Sequence, residues 1–149
     1  RSESVAVVLE LSSNGGQTWS TPLATAADNV DGYYWFDITP WASADTRMRF
    51  RVTDADSRAV FYVDDVEVWY KTTTAARDEF NNVSFGNSNG NDSWASAWSE
   101  SGDNSSPQSG AILVRQNDCP DSSSRCLELN ASGGLNDSAS RTINLSNAF

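Results

Sequence analysis

Two pairs of carboxylates, Asp54 with Asp56 and Asp64 with Asp65, are the first residues to weigh for chemistry. A glycosidase needs two carboxyl groups facing each other across a cleft, about 5–9 Å apart. Neighbouring strand residues point to opposite faces, so Asp64 and Asp65 act together only where a bulge re-aims one of them. Serine is abundant, but the chain has no His and a single Lys, Lys71, so nothing activates a serine nucleophile. The same lack of His removes a Ser-His-Asp triad, imidazole ligation and a proton shuttle at neutral pH. The expectation is a protein without catalysis.

Aromatic residues offer a second chemistry, because Trp and Tyr rings stack on the apolar faces of sugars. Tyr33, Tyr34, Trp35, Trp41, Trp94 and Trp98 are numerous enough for a platform. Strand alternation turns half of such rings inward, and core packing is the expected role for most. Tyr34 and Trp41 are left as the sugar-binding candidates.

Cys119 and Cys126 flank a turn-rich tip between two apolar runs, Ala111–Val114 and Leu127–Leu129. A hairpin would bring them within disulfide reach. Free thiols or half of a metal site are the alternatives, but the chain has neither a third Cys nor a His to complete a zinc site. A disulfide implies an oxidising, extracellular setting. Asn-x-Ser sequons at Asn82, Asn91, Asn104, Asn130, Asn136 and Asn144 agree with that setting. A Ser/Asn-rich segment also makes such triplets by chance; any that carry glycans face solvent.

Charge narrows the partners. With 10 basic and 20 acidic residues the net charge is −10, which argues against nucleic acid, whose phosphates need Lys/Arg patches. No apolar run approaches the roughly 20 residues of a membrane span. The chain of 149 residues opens on Arg1 without a signal peptide, and reads as a processed or excised piece of something longer.

The elements that must position these residues are strands. Period-two alternation dominates. Val5, Val7, Leu9 and Leu11 share one face and Ala6, Val8 and Glu10 the other, before a tight turn at Asn14-Gly15-Gly16. Tyr33 to Thr39 reads as a strand closed by Pro40. From Arg47 to Asp54, Met48, Phe50 and Val52 point in and Arg47, Arg49 and Arg51 point out, up to a turn at 54–57. Val60 to Tyr70 reads as one long strand that changes phase at Asp64-Asp65, a β-bulge signature. Two acids at such a bend are a solvated edge or a metal corner. Residues 71–77 read as a linker, and composition then shifts to Ser, Asn and Gly. Asp78-Glu79-Phe80 opens a strand towards Phe85, the cysteine hairpin follows, and Ser138 to Leu145 is the last strand. About ten strands with uneven loops fit an antiparallel jelly-roll β-sandwich.

Particular segments carry a family resemblance. Val8 to Trp19 (VLELSSNGGQTW) resembles the V-x-S-S-D-G-G-x-T-W hairpin of repeats in large bacterial surface proteins. Asp78-Glu79-Phe80 with Trp94 and Trp98 resembles the opening of the same jelly-roll repeats, and Phe61 to Val68 (FYVDDVEV) their closing strand. The wider group includes MAM-like and carbohydrate-binding-module-like jelly rolls. The resemblance implies a structural calcium ion near the opening acids and the closing Asp, hence Asp78 and Glu79 with Asp64 or Asp65. Asp28–Gly32 and Asn89–Asp92 are weaker cation loops that also read as turns.

The order of the parts departs from the family. The closing half, residues 1–70, precedes the opening half, residues 78–149. Three arrangements satisfy this order: a permuted single domain, a window across two tandem repeats, or a subunit that gives each half to a different neighbour. The last is a head-to-tail homopolymer built by strand addition. The sequence therefore predicts a non-catalytic extracellular structural protein, a filament subunit or an adhesin-like repeat. The alternative is a carbohydrate-binding module of a secreted enzyme, with an exposed aromatic row on one sheet face.

Overall fold

The computed structural model describes residues 6–26, 32–54, 60–70, 75–117, 119, 125–130, 134 and 136–146. The protein is all-β, and its strand ladders are antiparallel. In chain order the strands are β1 (Ala6–Ser12), β2 (Ala24–Ala26), β3 (Thr46–Asp54), β4 (Val60–Val63), β5 (Val66–Trp69), β6 (Ala75–Asp78), β7 (Ser99–Ser101), β8 (Ile112–Gln116), β9 (Arg125–Asn130) and β10 (Ser138–Ile143). One five-stranded sheet runs β2-β1-β3-β10-β7; β4-β9-β8 form a second, and β5 pairs with β6.

Alternation explains the large sheet. Val7, Leu11, Met48 and Val52 sit in the core, with Leu9 and Phe50 packed against it. Register places Val7 opposite Val52, Leu9 opposite Phe50 and Leu11 opposite Met48, so the same face of both strands is apolar. The tight turn after β1 forms as its Asn-Gly-Gly sequence requires. Gly15 and Gly16 take φ of +67° and +90°, and the Ser12 hydroxyl accepts from the Asn14 and Gly16 amides.

Strands from the two ends of the sequence interleave. β3 pairs with β10 from Thr46 opposite Ile143 to Arg51 opposite Ser138. β4 pairs with β9, and β5 with β6. Residues 1–70 thus pair with residues beyond 74 along three ladders of one chain, and the core draws on both: Val66 and Val68 from the first part, Phe80, Trp94, Trp98, Leu127 and Leu129 from the second.

Three elements differ from the sequence pattern. Tyr33 to Thr39 is not a strand: the Asp37 carboxylate accepts from the Thr39 amide, and Thr39–Trp41 form a 3-10 turn around Pro40, which has no N–H for a ladder. Val60 to Tyr70 is two strands rather than one bulged strand. Asp65 at φ +50° breaks it, so β4 pairs with β9 while β5 turns to β6. The strand placed at Asp78 instead ends there. Ala75 to Arg77, placed in the linker, are its first residues, and Phe80 at φ +49° turns the chain inward.

Candidate functional site

Of the acids expected around a cation, Asp78 turns into the core, fully buried. Its Oδ1 accepts from the Phe80 amide at 2.9 Å, and its Oδ2 accepts from the Trp98 indole N–H at 2.9 Å and from Arg141 Nη1. Arg141 is 2% exposed. It also donates to the carbonyls of Ser96 at 2.9 Å and Asn87 at 2.6 Å, and its guanidinium lies over the Trp94 ring, 4.6 Å from the centroid. Burial pushes the Asp78 carboxyl up against the pull of these donors, and burial likewise pushes Arg141 down. The cluster bolts β6 to β10, and its acid and base are both taken.

The remaining acids of that corner face a cation of the chain's own. Arg77 Nη1 lies 2.9 Å from Glu79, Nη2 lies 3.3 Å from Asp65, and Nε lies 4.0 Å from Glu67. Asp64 accepts from the Asp65 amide at the strand break. Asp64, Asp65, Asp78 and Glu79 therefore do not converge on one point: Asp78, the last residue of β6, turns inward, and Glu79, just past it, lies beside Arg77. Among the described residues no three His, Cys, Asp or Glu are grouped to hold a metal ion. The loop at 89–92 serves β6 instead, with Asn89 accepting from the Glu79 amide and Asn91 from the Ala75 amide. A Cβ on Gly90 would lie 2.1 Å from the Ala75 carbonyl, so this close approach requires glycine. The loop expected at 28–32 lies outside the described residues except for Gly32, as does Asp56.

A third acidic group gave no clear signal in the sequence. Asp103 accepts from the Ile112 amide at 2.7 Å, and Glu100 accepts from the Ser105 amide at 2.6 Å. Burial pushes Glu100 up to about 7, with the Asp103 charge adding to it and the Ser105 amide opposing it. Burial and Asp103 also raise Asp137. Gly102 and Gly110 are the visible trace: a Cβ on either would come within 2.0 Å of Asp137 or 2.2 Å of Asp103.

The outer face of the large sheet carries a polar trough. Arg47, Arg49 and Arg51 alternate outward on β3 as their spacing predicts. Glu10 on β1 is 4% exposed because both neighbours clamp it: Arg49 donates at 2.5 and 2.8 Å, Arg51 at 2.7 and 3.0 Å. The Arg51 hydrogen bonds, opposed by burial and reinforced by Arg49, hold the Glu10 carboxyl below the usual range. Trp19 covers Arg49, 3.9 Å from guanidinium to ring centroid. With serines of β7 and β10 these residues line a trough of about 600 Å³.

The sugar-binding candidates separate. Tyr34 is exposed, between Tyr33 at 88% and Trp35 at 78%, whereas Trp41 packs against the core. Trp94 and Trp98 are buried, as core residues. Cys119 and Cys126 form a disulfide at the β8–β9 hairpin, with Cα atoms 5.8 Å apart. Asn82, Asn91, Asn104, Asn136 and Asn144 are exposed, and Asn130 is half-buried at the end of β9.

Comparison of the chain with protein-family models, with curated proteins and with solved structures returns no match, so the functional reading rests on these residues.

Proposed function

We propose that this is a non-catalytic extracellular structural protein, a jelly-roll module whose two halves pair between successive subunits to build a head-to-tail filament or array. The observation that carries it is the interleaving of residues 1–70 with residues beyond 74 along β3–β10, β4–β9 and β5–β6. Each half presents strand edges that the other completes, and only residues 70–74 separate β5 from β6. A hairpin connection that opens passes the same registers to a second chain, and repetition gives an open polymer. The carboxylates best placed for chemistry serve the fold: Asp78 holds Arg141 and Trp98, and Asp65 and Glu79 share Arg77. The disulfide fits an oxidising compartment.

Light scattering on a size-exclusion column tests this over a concentration series of the native protein. The reading predicts species at integral multiples of the 16.2 kDa chain, growing with concentration and time. A single 16.2 kDa species at every concentration would sink it.

The second reading is a carbohydrate-binding module of a secreted enzyme. The exposed rings of Tyr33, Tyr34 and Trp35 supply aromatic surface for it, on a segment outside the sheets rather than on a sheet face.

A further inference from the structure

We infer that the trough on the outer face of the large sheet binds a carboxylate-bearing sugar chain, a polyuronate, with Arg47 as its principal charge contact. The inference rests on the carbohydrate-binding reading and gives it a site and a ligand class. It moves the site away from Tyr34 and Trp41.

Charge is the first ground. The chain carries −10, yet this face gathers three of its arginines around Glu10. Glu10 cancels one positive charge, and Arg49 and Arg51 share it. Three cations less one anion leave +2 on the β1–β3 part of the face. Glu100 also lines the trough and brings its net charge to +1 when ionised. A basic island on an acidic protein selects anions by contrast with its surroundings.

Hydrogen-bonding capacity is the second ground. Arg47 donates through Nε to Thr142 Oγ1 at 3.1 Å, an arrangement that fixes the guanidinium and leaves its terminal pair for another acceptor. A guanidinium edge matches a carboxylate with two parallel N–H···O bonds. Gly16 lies against it: a Cβ there would sit 3.3 Å from Arg47 Nη1 and 3.1 Å from the Trp19 ring, so glycine keeps this end of the trough open.

The third ground is the rest of the lining. Ser101 offers an exposed hydroxyl, Ser99 and Ser140 a hydroxyl pair 3.0 Å apart, and Trp19 a half-buried apolar ring at the border. A phosphate-rich polymer would seek more cations than this face holds, whereas a chain of spaced carboxylates among hydroxyls fits both features.

Isothermal titration of the whole protein with a short oligogalacturonate tests the inference, with a neutral cello-oligosaccharide of equal length alongside. Binding of the oligogalacturonate that weakens with added salt is expected. Arg47→Ala should weaken it about ten-fold or more, and Arg47→Lys should restore only part, because the charge returns without the two-pronged edge. Circular dichroism of both variants should match the parent, since Arg47 takes no part in the core. Equal affinity for the neutral chain overturns the inference while leaving the carbohydrate-binding reading standing. Absence of binding to both, or an affinity unchanged in Arg47→Ala, also overturns it.

Discussion

Two acid–arginine clusters lead opposite lives in this molecule. Asp78 and Arg141 meet inside the core, roofed by Trp94 and Trp98, with both charges out of water. Glu10, Arg49 and Arg51 meet on the outer face, where the arginine side chains stay about one-fifth exposed. Inside, the Asp78 carboxylate and the Arg141 guanidinium spend their hydrogen bonds on each other, on Trp98 and on the backbone. Outside, one carboxylate serves two guanidinium groups and the surplus charge remains available. The contrast teaches that a charged residue in a sheet protein is read from its face: inward it locks strands together, outward it makes a surface.

The largest effect should come from breaking the inner cluster. Arg141→Ala strands Asp78 as an unpaired buried charge and should cost about 3–5 kcal/mol, read as a shift in the urea midpoint. The double change Asp78→Asn with Arg141→Met removes the charge problem and should recover a large share of that loss. If the single variant unfolded at the parent's midpoint, Arg141 would not be a bolt between β6 and β10.

Removing the disulfide with Cys119→Ser and Cys126→Ser should cost about 2–3 kcal/mol for so short a loop. Because it lies at the β8–β9 tip, apart from both clusters, its cost should add to that of the outer one, a test made by combining it with Glu10→Gln.

The outer cluster should be much weaker. Glu10→Gln should cost on the order of 1 kcal/mol, with thermal melts showing a loss that shrinks in high salt. A loss as great as that of Arg141→Ala would erase the distinction between the two faces.

The smallest effect is a slope. Burial raises Glu100 to about 7 in the folded protein, from an ordinary value near 4.5, so the folded state holds this proton more tightly than the unfolded state. Its contribution is fully present below about 4.5 and is lost as pH rises through about 7. Asp137, also raised, acts in the same direction. Melting temperatures of Glu100→Gln should therefore decline less than the parent's between pH 5 and 8. Parallel pH profiles would show that Glu100 titrates normally.

Much of the large sheet was legible because period-two patterning is a local signal. Met48, Phe50 and Val52 face in and Arg47, Arg49 and Arg51 face out, and the Asn-Gly-Gly turn and the cysteine hairpin lie where their residues place them. Glu10 was legible as outward but not as buried, since its burial comes from arginines about 40 positions away. The phase change at Asp64-Asp65 was visible, but its outcome depends on two different partners, β9 and β6, which alternation cannot reveal. Asp78 carried the opposite difficulty. Next to Glu79 it reads as half of an acidic pair, and only the arrival of Arg141, 63 residues later, makes it a core residue. The Tyr33–Thr39 segment has the composition of a strand, yet an Asp37 turn and Pro40 divert it.

The proposed filament requires the registers that join the two halves within one chain to form between chains as well. Val60 on β4 faces Asn130 on β9, one position in each half. Val60→Cys with Asn130→Cys, oxidised in the native assembly and run on a non-reducing gel, reads that pairing out directly. Strand exchange predicts a ladder of covalent multimers that collapses on reduction. A single-chain band, with the new disulfide mapped within one chain, would contradict it.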